Sequence, residues 1–246
     1  SVTGTEIYEF LHYVTRERAN SPAARARKLS SLKGFYKYLC TKMKLIRVNP
    51  TDDVGIPAQK KRLPKYLSLK EGTELLQSVQ SDFYERDYCM ITLFLNCGMR
   101  LSELVNINAT DIQDDGTIRI IGKGDKERLV YLNEACVKAL TRLCDERRKL
   151  PNLQDDKALF VSKKTGKRLS ARRVQQIVEG CLRAAGLSGK GYSTHKLRHT
   201  AATMMYQEGH VDMLALKEIL GHAHVSTTEI YTHLRAHETS QDLVCR

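Results

Sequence analysis

Thr117-Ile118-Arg119-Ile120-Ile121-Gly122-Lys123-Gly124-Asp125-Lys126-Glu127-Arg128-Leu129-Val130-Tyr131-Leu132 is the stretch on which the fold class turns. Two β-branched runs, 117–121 and 128–132, flank a turn rich in Gly and Asp, a pattern that predicts a β-hairpin. Outward from it in both directions the apolar period is that of a helix. Ile7, Phe10, Leu11 and Val14 predict a helix over about 5–18. Ser21-Pro22 opens a second, reaching about Met43 with Leu29, Leu32, Tyr36, Leu39 and Met43 on one face. A capping box at Ser68-Leu69-Lys70-Glu71 opens a third, and a fourth covers about 84–97. Past the hairpin, Asn133 caps about 134–149, Ser170 caps about 171–185, Thr194 caps about 195–208, and Asp212 starts a helix reaching His222. Ser226-Thr227-Thr228-Glu229 is another capping box and places Tyr231 on a short helix. The expected class is therefore mainly α with a small antiparallel β-sheet (α+β).

The chain has 246 residues, enough for one large domain or two modest ones. No apolar run approaches the roughly 20 residues that cross a bilayer, and no signal peptide is visible at Ser1-Val2-Thr3-Gly4. The start without Met implies a trimmed chain or part of a longer one. Seven cysteines, without a Cys-x-x-Cys pair and mostly inside helical patterns, argue against a disulfide scaffold or zinc ribbon. They read as reduced thiols of a cytosolic protein.

Charge is uneven. Of the net +12, residues 1–62 hold +8, and Arg16–Arg47 has ten basic residues against the single acid Glu17. Such a face repels itself unless it meets a polyanion, so it is either a solvated helix surface or a nucleic-acid footprint. Pro50, Pro57 and Pro64, with Lys60-Lys61-Arg62 between them, read as a semi-extended basic linker. The expected division is 1–58, a helical DNA-binding domain whose two helices make a thin core, then the linker 59–66 and a larger domain 67–246. The thin core suggests that the first domain lacks its N-terminal part.

Singly, the candidate functional residues are unspecific. Arg100 reads equally as a surface arginine. Lys123 sits in Gly-Lys-Gly, but a Walker loop needs G-x-x-x-x-G-K-[ST] between strand and helix, so a nucleotide loop is rejected. His195 and Arg198 share a helix face near its N-terminus, where the dipole favours an anion. His195 and His199 have the i, i+4 spacing of a zinc pair, but Lys196 and Arg198 between them disfavour a cation. His222 follows a helix end, and Tyr231 alone reads as a core tyrosine.

Together, and in this order, the strings Gly98-Met99-Arg100-Leu101-Ser102-Glu103-Leu104, Gly122-Lys123-Gly124-Asp125-Lys126-Glu127-Arg128, Thr194-His195-Lys196-Leu197-Arg198-His199, Leu220-Gly221-His222 and Thr227-Thr228-Glu229-Ile230-Tyr231-Thr232-His233 change the odds. The chain resembles the tyrosine recombinases, the phage-type integrases and Xer-like site-specific recombinases, most strongly over 67–234. The resemblance implies a two-domain architecture closing as a C-shaped clamp on double-stranded DNA. It implies that Arg100, Lys123, His195, Arg198, His222 and Tyr231 are catalytic, Tyr231 being the nucleophile, with Glu103 an accessory acid that orients its neighbours. It also implies a prokaryotic, cytoplasmic, nucleoid-associated protein that forms a homo-tetramer at synapsis and is a monomer or dimer off DNA.

The residue types suit that chemistry. A phosphodiester repels nucleophiles, and its transition state gathers more charge on the equatorial oxygens, so cations must be placed around it beforehand. Arg100 and Arg198 each offer a planar fork of donors. No carboxylate cluster suited to Mg²⁺ appears, so we expect no metal and no cofactor. Positive charge and helix position suggest DNA contacts at Arg25, Lys28, Lys33, Lys60, Lys61, Arg172 and Arg173. The tail from His233 to Arg246 is either an assembly element or a frayed end. The rival readings are a type IB topoisomerase and a DNA-binding architectural protein without activity.

Overall fold

Local chemistry sets most of the helix starts. A computed structural model of the chain describes residues 2–55, 65–122 and 127–221. The chain divides into two compact units, Ser1–Leu63 and Pro64–Arg246.

In the first unit, α1 (Gly4–Arg16) begins with a capping box: Thr3 N–H donates to Glu6 Oε2 at 2.7 Å, and Thr3 Oγ1 accepts from Glu6 N–H. The Ser21 hydroxyl caps α2 (Pro22–Thr41), whose first residue is the proline that needs no donor there. Ile7, Leu29 and Val54 form the core, with Leu11, Leu32 and Tyr36 packed against it. Two members of the expected apolar faces are exposed. Phe10 lies about 60° round the helix from Ile7, at the edge of the stripe, and is 38% exposed. Met43 is exposed because α2 ends at Thr41, short of it.

The second unit is built around α4 (Tyr84–Cys97), which is buried on nearly all sides: Cys89, Met90, Ile91, Leu93 and Phe94 have no exposed surface. α3 (Leu69–Gln77), opened by the Ser68–Glu71 capping box, packs on it, as do α6 (Glu134–Arg148), α7 (Ala171–Ala184) and α8 (Thr194–Gln207). α5 (Leu101–Asn106), a 3-10 turn at Ala109–Asp111 and α9 (Met213–Leu220) complete the helices of the described residues. β1 (Thr117–Ile121) and β2 (Glu127–Tyr131) pair antiparallel, in register from Thr117↔Tyr131 to Ile121↔Glu127. Ile118, Ile120 and Val130 point into the core. The tip 123–126 lies outside the described residues, as do Lys60, Lys61 and everything after Gly221.

Three details depart from the sequence reading. α8 starts one residue early: Ser193 takes the N-cap position without a side-chain bond, and Thr194 is the first helical residue. α9 stops at Leu220, where Gly221 adopts the left-handed conformation (φ 62°), before His222. Residues 150–170 carry two isolated β-bridges, Asn108↔Ala158 and Val161↔Arg168, that the apolar pattern did not predict. Arg147, buried in α6, supports this irregular segment by donating to the carbonyls of Ala158, Asp155 and Asp156 at 2.8, 3.1 and 2.6 Å. No described helix is long and apolar enough to cross a membrane. The six described cysteines are free thiols.

Candidate active site

The cleft begins where α4 ends. Gly98 caps α4 in the left-handed conformation (φ 58°), and a Cβ there would sit 2.8 Å from Leu220 Cδ2, so both backbone and space favour glycine. The turn delivers Arg100 to the N-cap of α5. Glu103, in the first turn, reaches back: its Oε2 accepts from Arg100 N–H at 2.7 Å and its Oε1 from Arg100 Nη1 at 2.6 Å.

Glu103 is the hub. Its side chain is 2% exposed and also receives both ends of the Arg128 fork, Nη1 to Oε1 at 2.8 Å and Nη2 to Oε2 at 2.9 Å. Arg198 Nη1 lies 3.7 Å from Oε2. Burial by itself raises this carboxyl's pKa, but the Arg128 and Arg100 hydrogen bonds outweigh it and hold the pKa at about 2. One carboxylate thus gathers three guanidinium groups and leaves a net charge of +2.

Arg198, on α8, is buried and donates to Gly98 O at 2.6 Å and Leu220 O at 2.5 Å. Arg100 is more open, 34% exposed, and donates to Gly221 O at 2.8 Å. Both line a cleft of ≈ 490 Å³ together with Met99, Ser102, Thr194 and His195. The structure therefore brings Arg100, Glu103, His195 and Arg198 together from α5 and α8. Lys123, His222 and Tyr231 lie outside the described residues; by chain position Lys123 falls between β1 and β2, and His222 follows Gly221.

Burial, then the charges of Lys196, Arg198 and Arg100, lowers the His195 pKa below 6.5. His199, one turn on, is lowered to about 4 by burial and by His195, Lys196 and Arg198. Both imidazoles are neutral at pH 7, and their Nε2 atoms are 3.1 Å apart. A neutral histidine beside two arginines is a proton acceptor in a positive field. Among the described residues, no group of three His, Cys, Asp or Glu side chains could hold a metal ion, so the His195–His199 pair gains no third ligand there. Arg128, the last residue of the Gly122–Arg128 string, has no role assigned by the sequence, yet it sits at the centre of the hub. The one signal for it was a basic residue at the start of a strand whose alternate positions face the core.

Of the expected DNA contacts, Lys28, Arg172 and Arg173 are exposed, the latter two in the first turn of α7. Lys33 is half-buried. Arg25 is half-buried too and donates to Thr15 Oγ1 at 3.1 Å, tying α2 to α1.

Residues 65–238 match the model of the phage integrase family. The chain belongs to that family. Its relatives include the tyrosine recombinase XerC of Caldanaerobacter subterraneus subsp. tengcongensis, 53% identical over 95% of this chain, of whose length the chain spans 65%. The tyrosine recombinase XerC of Thermodesulfovibrio yellowstonii is 35% identical over 88% of this chain and 73% of its own length. Among solved structures, the XerH site-specific recombinase in its post-cleavage complex with palindromic difH substrate aligns with TM-score 0.79 and 27% identity, covering 95% of this chain and 69% of that one. The XerA recombinase aligns with TM-score 0.63 and 29% identity, covering 96% and 82%. This integrase-family chain is thus of the Xer type, with the mainly helical fold and small sheet expected of it.

Proposed function

We propose that the protein is a site-specific DNA recombinase that cuts and rejoins strands through a covalent 3′-phosphotyrosyl intermediate. The observation that carries this is the convergence of Arg100 and Arg198 on one cleft, tied through Glu103, with neutral His195 on the same wall. The XerC relatives and the XerH complex, a recombinase with cleaved DNA, support it.

The chemistry runs as a transesterification. The arginine forks bind the non-bridging oxygens of the scissile phosphate and take up the charge that grows on them. A tyrosine phenol ionises only near pH 10, so Tyr231 needs a base, and His195 accepts its proton. The Tyr231 oxygen bonds to phosphorus, the bond to the 5′-oxygen breaks, and Lys123 protonates that leaving oxygen, with His222 adding a donor. One phosphodiester is exchanged for another, so a 5′-hydroxyl from a second duplex can reverse the step without a nucleotide cofactor.

Such an exchange needs two duplexes held together, which four protomers provide. In this reading 1–58 clamps one side of the duplex through Lys28, Lys33 and neighbouring charges, with Arg25 in part an internal tie. The linker 59–66 adds Lys60 and Lys61, and 67–246 covers the other side with Arg172 and Arg173. Its setting is the bacterial cytoplasm, at the chromosome, a plasmid or a mobile element.

The test is a plasmid carrying two copies of a site selected by this protein from random duplex DNA. Recombination between the copies supports the reading. Relaxation of supercoils without exchange makes it a topoisomerase, and binding without any strand cleavage makes it an architectural protein.

A further inference from the structure

The last turn of α9 is held in an unusual way. Three consecutive carbonyls at its end are taken by three different arginines: Ile219 O by Arg128 Nε at 3.1 Å, Leu220 O by Arg198 Nη2 at 2.5 Å, and Gly221 O by Arg100 Nη2 at 2.8 Å. A helix end exposes carbonyls without partners and carries partial negative charge, so cations bind it well. Here two of those cations also line the cleft. Gly221 allows the approach: a Cβ there would sit 3.2 Å from Arg128 Nη1.

Arg128 alone of the three does not line the cleft, and it is only 14% exposed. Its fork is committed, both ends to Glu103 and Nε to Ile219 O. It therefore joins β2, α5 and the end of α9. β2 is the strand that follows the segment containing Lys123, and the end of α9 is where the chain sets out toward His222 and Tyr231. Removing Arg128 would leave the buried Glu103 carboxylate to Arg100 and Arg198, drawing their charge inward and away from a bound phosphate.

We infer that Arg128 is a positioning residue for strand cleavage: by neutralising Glu103 and gripping Ile219 O it holds Arg100 and Arg198 in place on the cleft and fixes the end of α9. This rests on the recombinase reading above.

The test is single-turnover formation of the covalent adduct on a nicked suicide duplex of the selected site at saturating protein. Arg128→Ala is expected to slow adduct formation by about 100-fold, the scale of a small misplacement of catalytic groups. DNA affinity should stay within about threefold, since Arg128 is mostly buried and does not line the cleft. Methylguanidinium added to Arg128→Ala should restore much of the rate by refilling the place beside Glu103. The double variant E103Q/R128A should be no slower than R128A, because the two act as one unit. If R128A does not fold, Arg128→Lys serves instead: it keeps the charge but not the fork, and should lose about 10-fold at unchanged affinity. A rate within threefold of wild type, a defect wholly in affinity, or a penalty equal in the Glu103 and E103Q backgrounds would overturn the inference. Wild-type protein that binds the duplex and yields no adduct would instead overturn the recombinase reading, whatever Arg128 does.

Discussion

The two units use positive charge in opposite ways. In the first, basic side chains such as Lys28 and Arg27 stand on the surface of α2, over a core of little more than Ile7, Leu29 and Val54. In the second, three arginines are drawn inward onto Glu103 and the end of α9, beside a core in which α4 is buried on nearly all sides. Surface charge of the first kind is suited to meeting a polyanion and is screened by salt. Charge of the second kind is desolvated and oriented in advance, which suits it to a charge that appears only during a reaction. On the proposed reading, the same residue types serve binding in one place and chemistry in the other.

Arg198→Ala breaks the comparison most strongly if it is wrong. We expect adduct formation to fall by about 1,000-fold or more, while DNA affinity falls little. A loss confined to affinity would make Arg198 a surface contact like those of α2. Next in size is the packing contrast. Phe94→Ala should destabilise the second unit by about 3–5 kcal/mol, and Leu29→Ala the first by about 2–3 kcal/mol, measured by denaturant unfolding. Equal, small effects would show that the enclosed core around α4 confers no added stability.

A pH series sharpens the electrostatic side. The His199 pKa is depressed from 6.5 to about 4, so the stability due to its neutral form is complete above pH 6.5 and is lost as pH falls toward 4. His199→Gln should flatten that part of the profile in thermal melts; an unchanged slope would assign the loss to other groups. His195 is lowered as well, so the acid limb of adduct formation should have its midpoint below pH 6.5, and a midpoint above that value would contradict a neutral base. The smallest expected effect is that of Lys28→Ala: a severalfold loss of DNA affinity, with the salt slope reduced by about 1. No change in slope would remove Lys28 from the DNA-facing surface.

Where local chemistry decides, the sequence was readable. The Ser68–Glu71 capping box, the Ser170 cap and the end of α4 at Gly98 follow from neighbours within one turn. Glu103 was singled out through the family resemblance, and its contact with Arg100, three residues away, is local. Arg128 was not readable, because its partners lie 25 residues back and 91 ahead. The same holds for 150–170, whose irregular path depends on Arg147 and on the left-handed Gly166 packed onto Asn152. Phe10 matched the helical period but lies at its edge, and the first unit has too little core to cover it.

One covalent bond, between Tyr231 and a DNA 3′-phosphate, decides whether the protein is a recombinase of this kind. Wild-type protein trapped on a nicked suicide duplex, digested with nuclease and trypsin, should yield the peptide Glu218–Arg235 carrying a nucleotide 3′-phosphate on Tyr231, its sole tyrosine. Tyr231→Phe should bind the same duplex and give no adduct. A nucleotide found on any other residue, or a normal yield from Tyr231→Phe, would contradict the account.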